Sequence, residues 1–162
     1  MKKIRPYPLF LLSAVATSVM TLFSHLLSRR MKQNFNEPKL LAGILTAPLF
    51  GGNLVAAKML AWLLHYQMGF TWALVYRVLL ANSKKEANAK TGFTFGIICG
   101  AGSVLGWIIM FRIQKRKPPG NPSLYYQQLF VAHLIFSMLL GSIMSSPDRR
   151  SKGIDKAPRM IL

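Results

Sequence analysis

Acidic side chains are nearly missing from this 162-residue sequence, where Glu37, Glu86, Asp148 and Asp155 stand against 21 Lys and Arg for a formal net charge of +17. All four carboxylates fall between the apolar runs, so no predicted span carries the buried acid usual in proton- or sodium-coupled transporters. Cysteine is almost as scarce. Cys99 alone allows no disulfide framework and no C-x-x-C metal or redox pair, and its neighbours Ile98 and Gly100 place it in an apolar helix, away from the wet, electropositive setting a thiolate nucleophile needs. No G-x-x-x-x-G-K-[ST], H-E-x-x-H or G-x-S-x-G is present, so phosphate-loop, metalloprotease and hydrolase chemistry have no motif. Serine is plentiful, yet no base and orienter can be assigned to it. The sequence supports no enzyme, no cofactor and no metal site.

Charged residues of both signs make up only 15% of the chain and apolar ones 52%, where a soluble domain would carry about a quarter charged. The apolar residues gather in four blocks, 7–27, 40–82, 92–111 and 124–145. Lys and Arg cluster just outside them, as in Lys2/Lys3/Arg5, Arg29/Arg30/Lys32, Lys84/Lys85, Lys115/Arg116/Lys117 and Arg149/Arg150/Lys152. Anionic headgroups attract each such residue by about 1 kcal/mol, so the expected partner of the basic charge is a lipid bilayer. Nucleic acid is not expected, because no basic stripe interleaved with exposed aromatics occurs on a water-facing element. These features predict one all-α domain over residues 1–162: an integral membrane helical bundle that crosses the bilayer several times.

The opening stretch has the basic start, apolar run and Ala14-Val15-Ala16 of a secretory signal peptide, but its apolarity continues to Arg29-Arg30, the length of an uncleaved span. At 1.5 Å per residue the block 40–82 is about 64 Å long, roughly twice the hydrocarbon thickness, so it must break. Pro48, Gly51, Gly52 and Asn53 disrupt its first half, and Lys58 there would put a charge near mid-membrane. The prediction is therefore four transmembrane helices, at about 7–27, 63–82, 92–111 and 124–145, with a broken, re-entrant or interfacial helix at 40–62 and a basic tail at 146–162. A five-span reading stays open, and with it the orientation, because every connection is basic.

On the third span Gly92, Gly96, Gly100, Gly102 and Gly106 share one arc, which reads as a helix-packing face of small-xxx-small type. The fourth span repeats small or polar residues every four positions, His133, Ser137, Gly141 and Ser145, and is expected to pack against that face. Ser13, Thr17, Thr21, Ser24 and Ser28 form a polar stripe on the first span that should look inward. His65, Gly69, Trp72 and Tyr76 share a face of the second, with Arg77 one step round. His25, Lys58, His65, Tyr76, Arg77 and His133 are the candidates for pH sensing or a polar path. By depth, His25 and His65 are expected to share a leaflet, with His133 apart from them.

The pattern His65-x-x-x-Gly69-x-x-Trp72-Ala73-x-x-Tyr76, a glycine-spaced span ending in Trp107, and His133-Leu134-x-Phe136-x-x-x-Leu140-Gly141 resembles the YagU-like family of small bacterial inner-membrane proteins. The resemblance covers roughly residues 40–145, and at Ser137 this chain departs from the glycine of that pattern. It implies about four helices in the bacterial cytoplasmic (inner) membrane, no catalytic residues to carry over and a poorly defined role, with acid tolerance associated with one member. The functional expectation is a non-enzymatic bundle tied to pH stress or membrane homeostasis, possible as a homo-oligomer or with a membrane-protein partner. A small channel or transporter is the alternative, and a haem- or metal-binding module a third.

Overall fold

A computed structural model describes residues 8–83 and 85–145. The N-terminal Lys2/Lys3/Arg5 cluster, Lys84 and the basic tail 146–162 lie outside the described residues. Among the described residues the fold is all-α, with five helices: α1 (Leu9–Met31), α2 (Glu37–Phe50), α3 (Leu54–Ser83), α4 (Ala89–Ile113) and α5 (Pro122–Ile143). Of these α1, α4 and α5 are long and apolar enough to cross a membrane, one fewer than the four helices predicted. The missing one is α3, whose 30 residues suffice in length but whose Lys58, His65, Gln67 and Arg77 dilute its apolarity.

The long second block breaks at a different place from the one predicted. Instead of a broken segment over 40–62 followed by a span from 63, α2 ends at Phe50 and α3 runs unbroken from Leu54. Gly51 and Gly52 make the turn at φ +54° and +97°, a left-handed conformation that side chains disfavour. Asn53 then restarts the helix, its side-chain oxygen accepting from the Val55 and Ala56 amides at 3.1 Å. Pro48 sits inside the last turn of α2 without ending it. Lys58 therefore falls in the second turn of α3, on its exposed surface.

Asparagine sets the other helix starts. Asn36, Asn88 and Asn121 cap α2, α4 and α5 through their side-chain oxygens, with Pro following at the first or second position of α2 and α5. At α4 the cap is reciprocal, because Thr91 returns a bond to the Asn88 amide.

Helix α5 is the centre of the bundle. It pairs with α4 along their length and packs on α1, while α3 packs on α1 and α2. Antiparallel register between α1 and α3 is fixed by Thr21 Oγ1 to His65 Nε2 at 2.9 Å and by Gly69 lying against Thr17. Two connections are clamped together at one end, where Gln33 donates to the Asn121 carbonyl and accepts from its amide, both at 3.1 Å. Phe35, fully buried, joins Phe111 and Tyr125 beneath them.

Candidate functional site

Ser13, Thr17, Thr21 and Ser24 are all buried, so the polar stripe of α1 faces the bundle. Two of the four are satisfied locally: Ser13 donates to the Phe10 carbonyl and Thr21 to the Thr17 carbonyl, each at 2.8 Å, whereas Thr17 Oγ1 has no partner among the described residues. Ser24 does something else. It donates to Glu37 Oε1 at 3.3 Å and accepts from the Gln128 amide at 2.7 Å, linking α1, α2 and α5.

Glu37 is the correction that matters most. Sequence position put every carboxylate in a loop, but the chain folds back after Met31 and sets the first residue of α2 inside the bundle, where Glu37 is only 4% exposed. Its Oε2 has no hydrogen-bond partner among the described residues, and neither do the buried Gln128 Oε1 and Tyr125 Oη. Burial pushes the carboxyl up to about 7, outweighing the opposing hydrogen bonding from its own backbone amide, from Ser24 and from Gln128. Among the described residues no cation compensates it. Near neutrality Glu37 thus exchanges between acid and carboxylate.

Glu37 lines a half-open cavity of about 370 Å³ to which all five helices contribute: Met20 from α1, Leu41 from α2, His65, Gln67, Met68 and Trp72 from α3, Gly102, Ser103, Gly106 and Trp107 from α4, and His133 and Phe136 from α5. Among the described residues no Lys or Arg lines it. The α4 glycines explain where the space comes from. Gly92, Gly96 and Gly100 lie against the α5 backbone or side chains at Ser137, Leu134 and Phe130, and Gly141 reciprocates against Gly92. Gly102 and Gly106, assigned from sequence to the same packing face, meet no part of α5. A side chain at Gly102 would touch only the Trp72 ring, and one at Gly106 would touch nothing within 4 Å. Removing side chains there, where α4 has no close helical neighbour, opens the cavity.

His65 and His133, expected apart, share this cavity; His25 does not line it but sits one turn along α1 from Thr21, the hydrogen-bond partner of His65. Since α5 begins at the end of the bundle where α1 finishes, His133 lies about 16 Å into α5 at the rise of a helix, close to the depth of His65. His133 Nδ1 donates to the Leu129 carbonyl at 2.8 Å, which leaves Nε2 of the neutral ring as an acceptor. Thr21 already gives its proton to Thr17, so it accepts from His65 Nε2–H, which leaves Nδ1 of that ring as the acceptor.

The remaining sequence candidates sit elsewhere. Tyr76 is buried and bonds Thr91 Oγ1 at 2.8 Å while touching the Gly141 position, tying α3 to α4 and α5. Lys58 and Arg77 are exposed on α3. Ser137 is buried against Gly96. Among the described residues no three His, Cys, Asp or Glu side chains converge as a metal site would require. Sequence reasoning missed Glu37, Ser103, Trp107, Gln128 and Tyr125; Glu37 carried one signal, being the only acid in the first 85 residues and lying between a helix-capping Asn and a Pro.

No protein-family model matches the chain, and neither a curated protein nor a solved structure matches it.

Proposed function

We propose that this protein is a non-enzymatic membrane carrier that binds a small solute inside a bundle of four spans, α1, α3, α4 and α5, with α2 lying at the membrane boundary. The observation that carries the reading is the cavity holding Glu37, His65 and His133, with Gln67, Thr71 and Ser103, among mostly apolar walls, the arrangement of a small-molecule site with a few convergent polar groups. Intramembrane ionisable groups facing a cavity mark substrate or proton paths.

Register supports α3 as the fourth span. Continuing the Thr21–His65 and Thr17–Gly69 pairing places Lys58 opposite Ser28 and Arg77 opposite Leu9, so both charges fall at the ends of the apolar length of α1. The 18 residues between them carry no charge other than the histidine can acquire. Helix α2, 14 residues long, starts beside the α1 terminus and receives Arg116 Nη1 on the Gly43 carbonyl at 3.0 Å, which keeps it at that boundary. Basic flanks suit the anionic cytoplasmic membrane of a bacterium. A catalytic reading has less support, since His133 is oriented by a backbone carbonyl and not by a carboxylate. The reading does not depend on the YagU-like resemblance.

The test is access. With Cys99→Ala as background and Ser103→Cys in the cavity, a water-soluble maleimide should label vesicle-embedded protein, and oriented vesicles should label from either face. Labelling from neither face would make the cavity a packing void and return the protein to a purely structural bundle.

A further inference from the structure

The cavity is chemically one-sided. In a chain of formal charge +17, its lining holds, among the described residues, a single acid and no Lys or Arg. One oxygen of that acid, Oε1, is held by Ser24, whereas Oε2 is buried without a partner among the described residues. A buried carboxylate so placed needs either a proton or a cation. The remaining walls are suited to an apolar body bearing positive charge. Trp72 and Trp107 offer faces that attract organic cations, and Met68 and Met110 are soft and adaptable. At about 370 Å³ the space is near the lower end for ligand sites, so the occupant is small.

Resting on the carrier reading above, we propose that the solute is a small apolar organic cation, an ammonium with a hydrocarbon or aromatic body, and that Glu37 holds its charge in exchange for a proton. On entry the Glu37 O–H bond breaks, the proton leaves to water, and the carboxylate pairs with the cation, so charge in the cavity is unchanged. The uncompensated carboxyl, raised to about 7 by burial, keeps that proton available near neutral pH. Titratable neighbours are accounted for: Tyr125 and His133 on α5, His65 on α3 and His25 beside Ser24 on α1. Within α2 Lys39 is exposed, and Arg116 reaches the Gly43 carbonyl. None supplies a fixed positive charge to Oε2.

Calorimetric titration of the detergent-solubilised full chain tests this with benzyltrimethylammonium and its uncharged carbon isostere, neopentylbenzene. Heats in two buffers of different ionisation enthalpy count the protons released. The cation should bind with release of close to one proton near pH 5.5 and almost none near pH 8.5, its affinity rising more than about tenfold over that range. Glu37→Gln, nearly isosteric with the neutral acid, should abolish both effects while still unfolding cooperatively, and Glu37→Asp should retain proton release. Equal binding of cation and isostere, or cation binding without proton release, overturns the exchange proposal while the solute cavity stands. Binding of neither probe, together with a cavity closed to maleimide, removes both readings. Proton release is measured on the unaltered protein, so a poorly folding variant does not rescue the idea.

Discussion

One pair of substitutions separates the two halves of the α4 glycine arc. Placing a Cβ on Gly92 would bring it to 3.0 Å from Met138 Cα and 3.1 Å from the Ser137 carbonyl carbon, with the Ser137 oxygen closer still. These are backbone atoms of α5 and cannot rotate aside. The two helices would have to part by roughly 0.5–1 Å, which forfeits a quarter to a half of each dispersion contact along the seam. Overpacking of this kind costs about 1–3 kcal/mol. Gly106→Ala makes the same chemical change on the same helix, but its Cβ meets nothing within 4 Å. Helix propensity favours Ala over Gly by up to about 1 kcal/mol in both variants, so it cancels in the comparison. Gly92→Ala should therefore be less stable than Gly106→Ala by about 2 kcal/mol. Reversible unfolding of the purified protein in mixed micelles, followed by helical circular dichroism as the denaturing detergent fraction rises, measures the difference directly. Equal midpoints for the two variants would refute the claim that Gly92 is in backbone contact with α5 while Gly106 faces open space.

Glu37 gives a pH signature of defined sign. Its acid form is favoured in the fold, with the carboxyl raised from 4.5 to about 7, so the stability it contributes is present below pH 4.5 and is lost as pH rises through 7. The span of that window corresponds to about 3 kcal/mol, and Glu37→Gln should remove this portion of the pH dependence and be the more stable form above pH 7. A wild-type-minus-variant stability difference that does not change between pH 4 and 8 would contradict the burial of the carboxyl. Phe35→Ala should destabilise the protein by about 3 kcal/mol in the same unfolding assay, since a fully buried ring is removed from the cluster that holds Phe111 and Tyr125. Tyr76→Phe should cost under about 1 kcal/mol, because Thr91 keeps its bonds with Asn88 when the 2.8 Å contact from Tyr76 is lost.

Much of the fold was legible because lipid-compatible helices announce themselves by apolar length and by the charges that end them. Helices α1, α4 and α5 fall within a few residues of the predicted blocks, and the inward Ser/Thr stripe of α1 follows from helical periodicity alone. The division of 40–82 was not legible in the same way. Proline and lysine argued for a disrupted region up to residue 62, but a proline in a last turn removes little, and a lysine in the second turn of α3 sits at the end of the helix, where its charge is exposed. Only the left-handed pair Gly51-Gly52 actually breaks the chain.

What the amino-acid order determined by itself is local: five helical stretches, their caps at Asn36, Asn88 and Asn121, their polar and glycine faces, and a preference for an oily surrounding, all set by periodicity and side-chain chemistry within a few turns. Tertiary structure alone decided that Glu37, silent at the head of a short helix, is buried beside Ser24 and Gln128, and that His133 meets His65 around one space. Those placements depend on which helix ends are brought side by side, on the fold-back after Met31 and on the loop clamp between Gln33 and Asn121. Contacts between residues 13 to 104 positions apart join faces whose partners no local periodicity specifies.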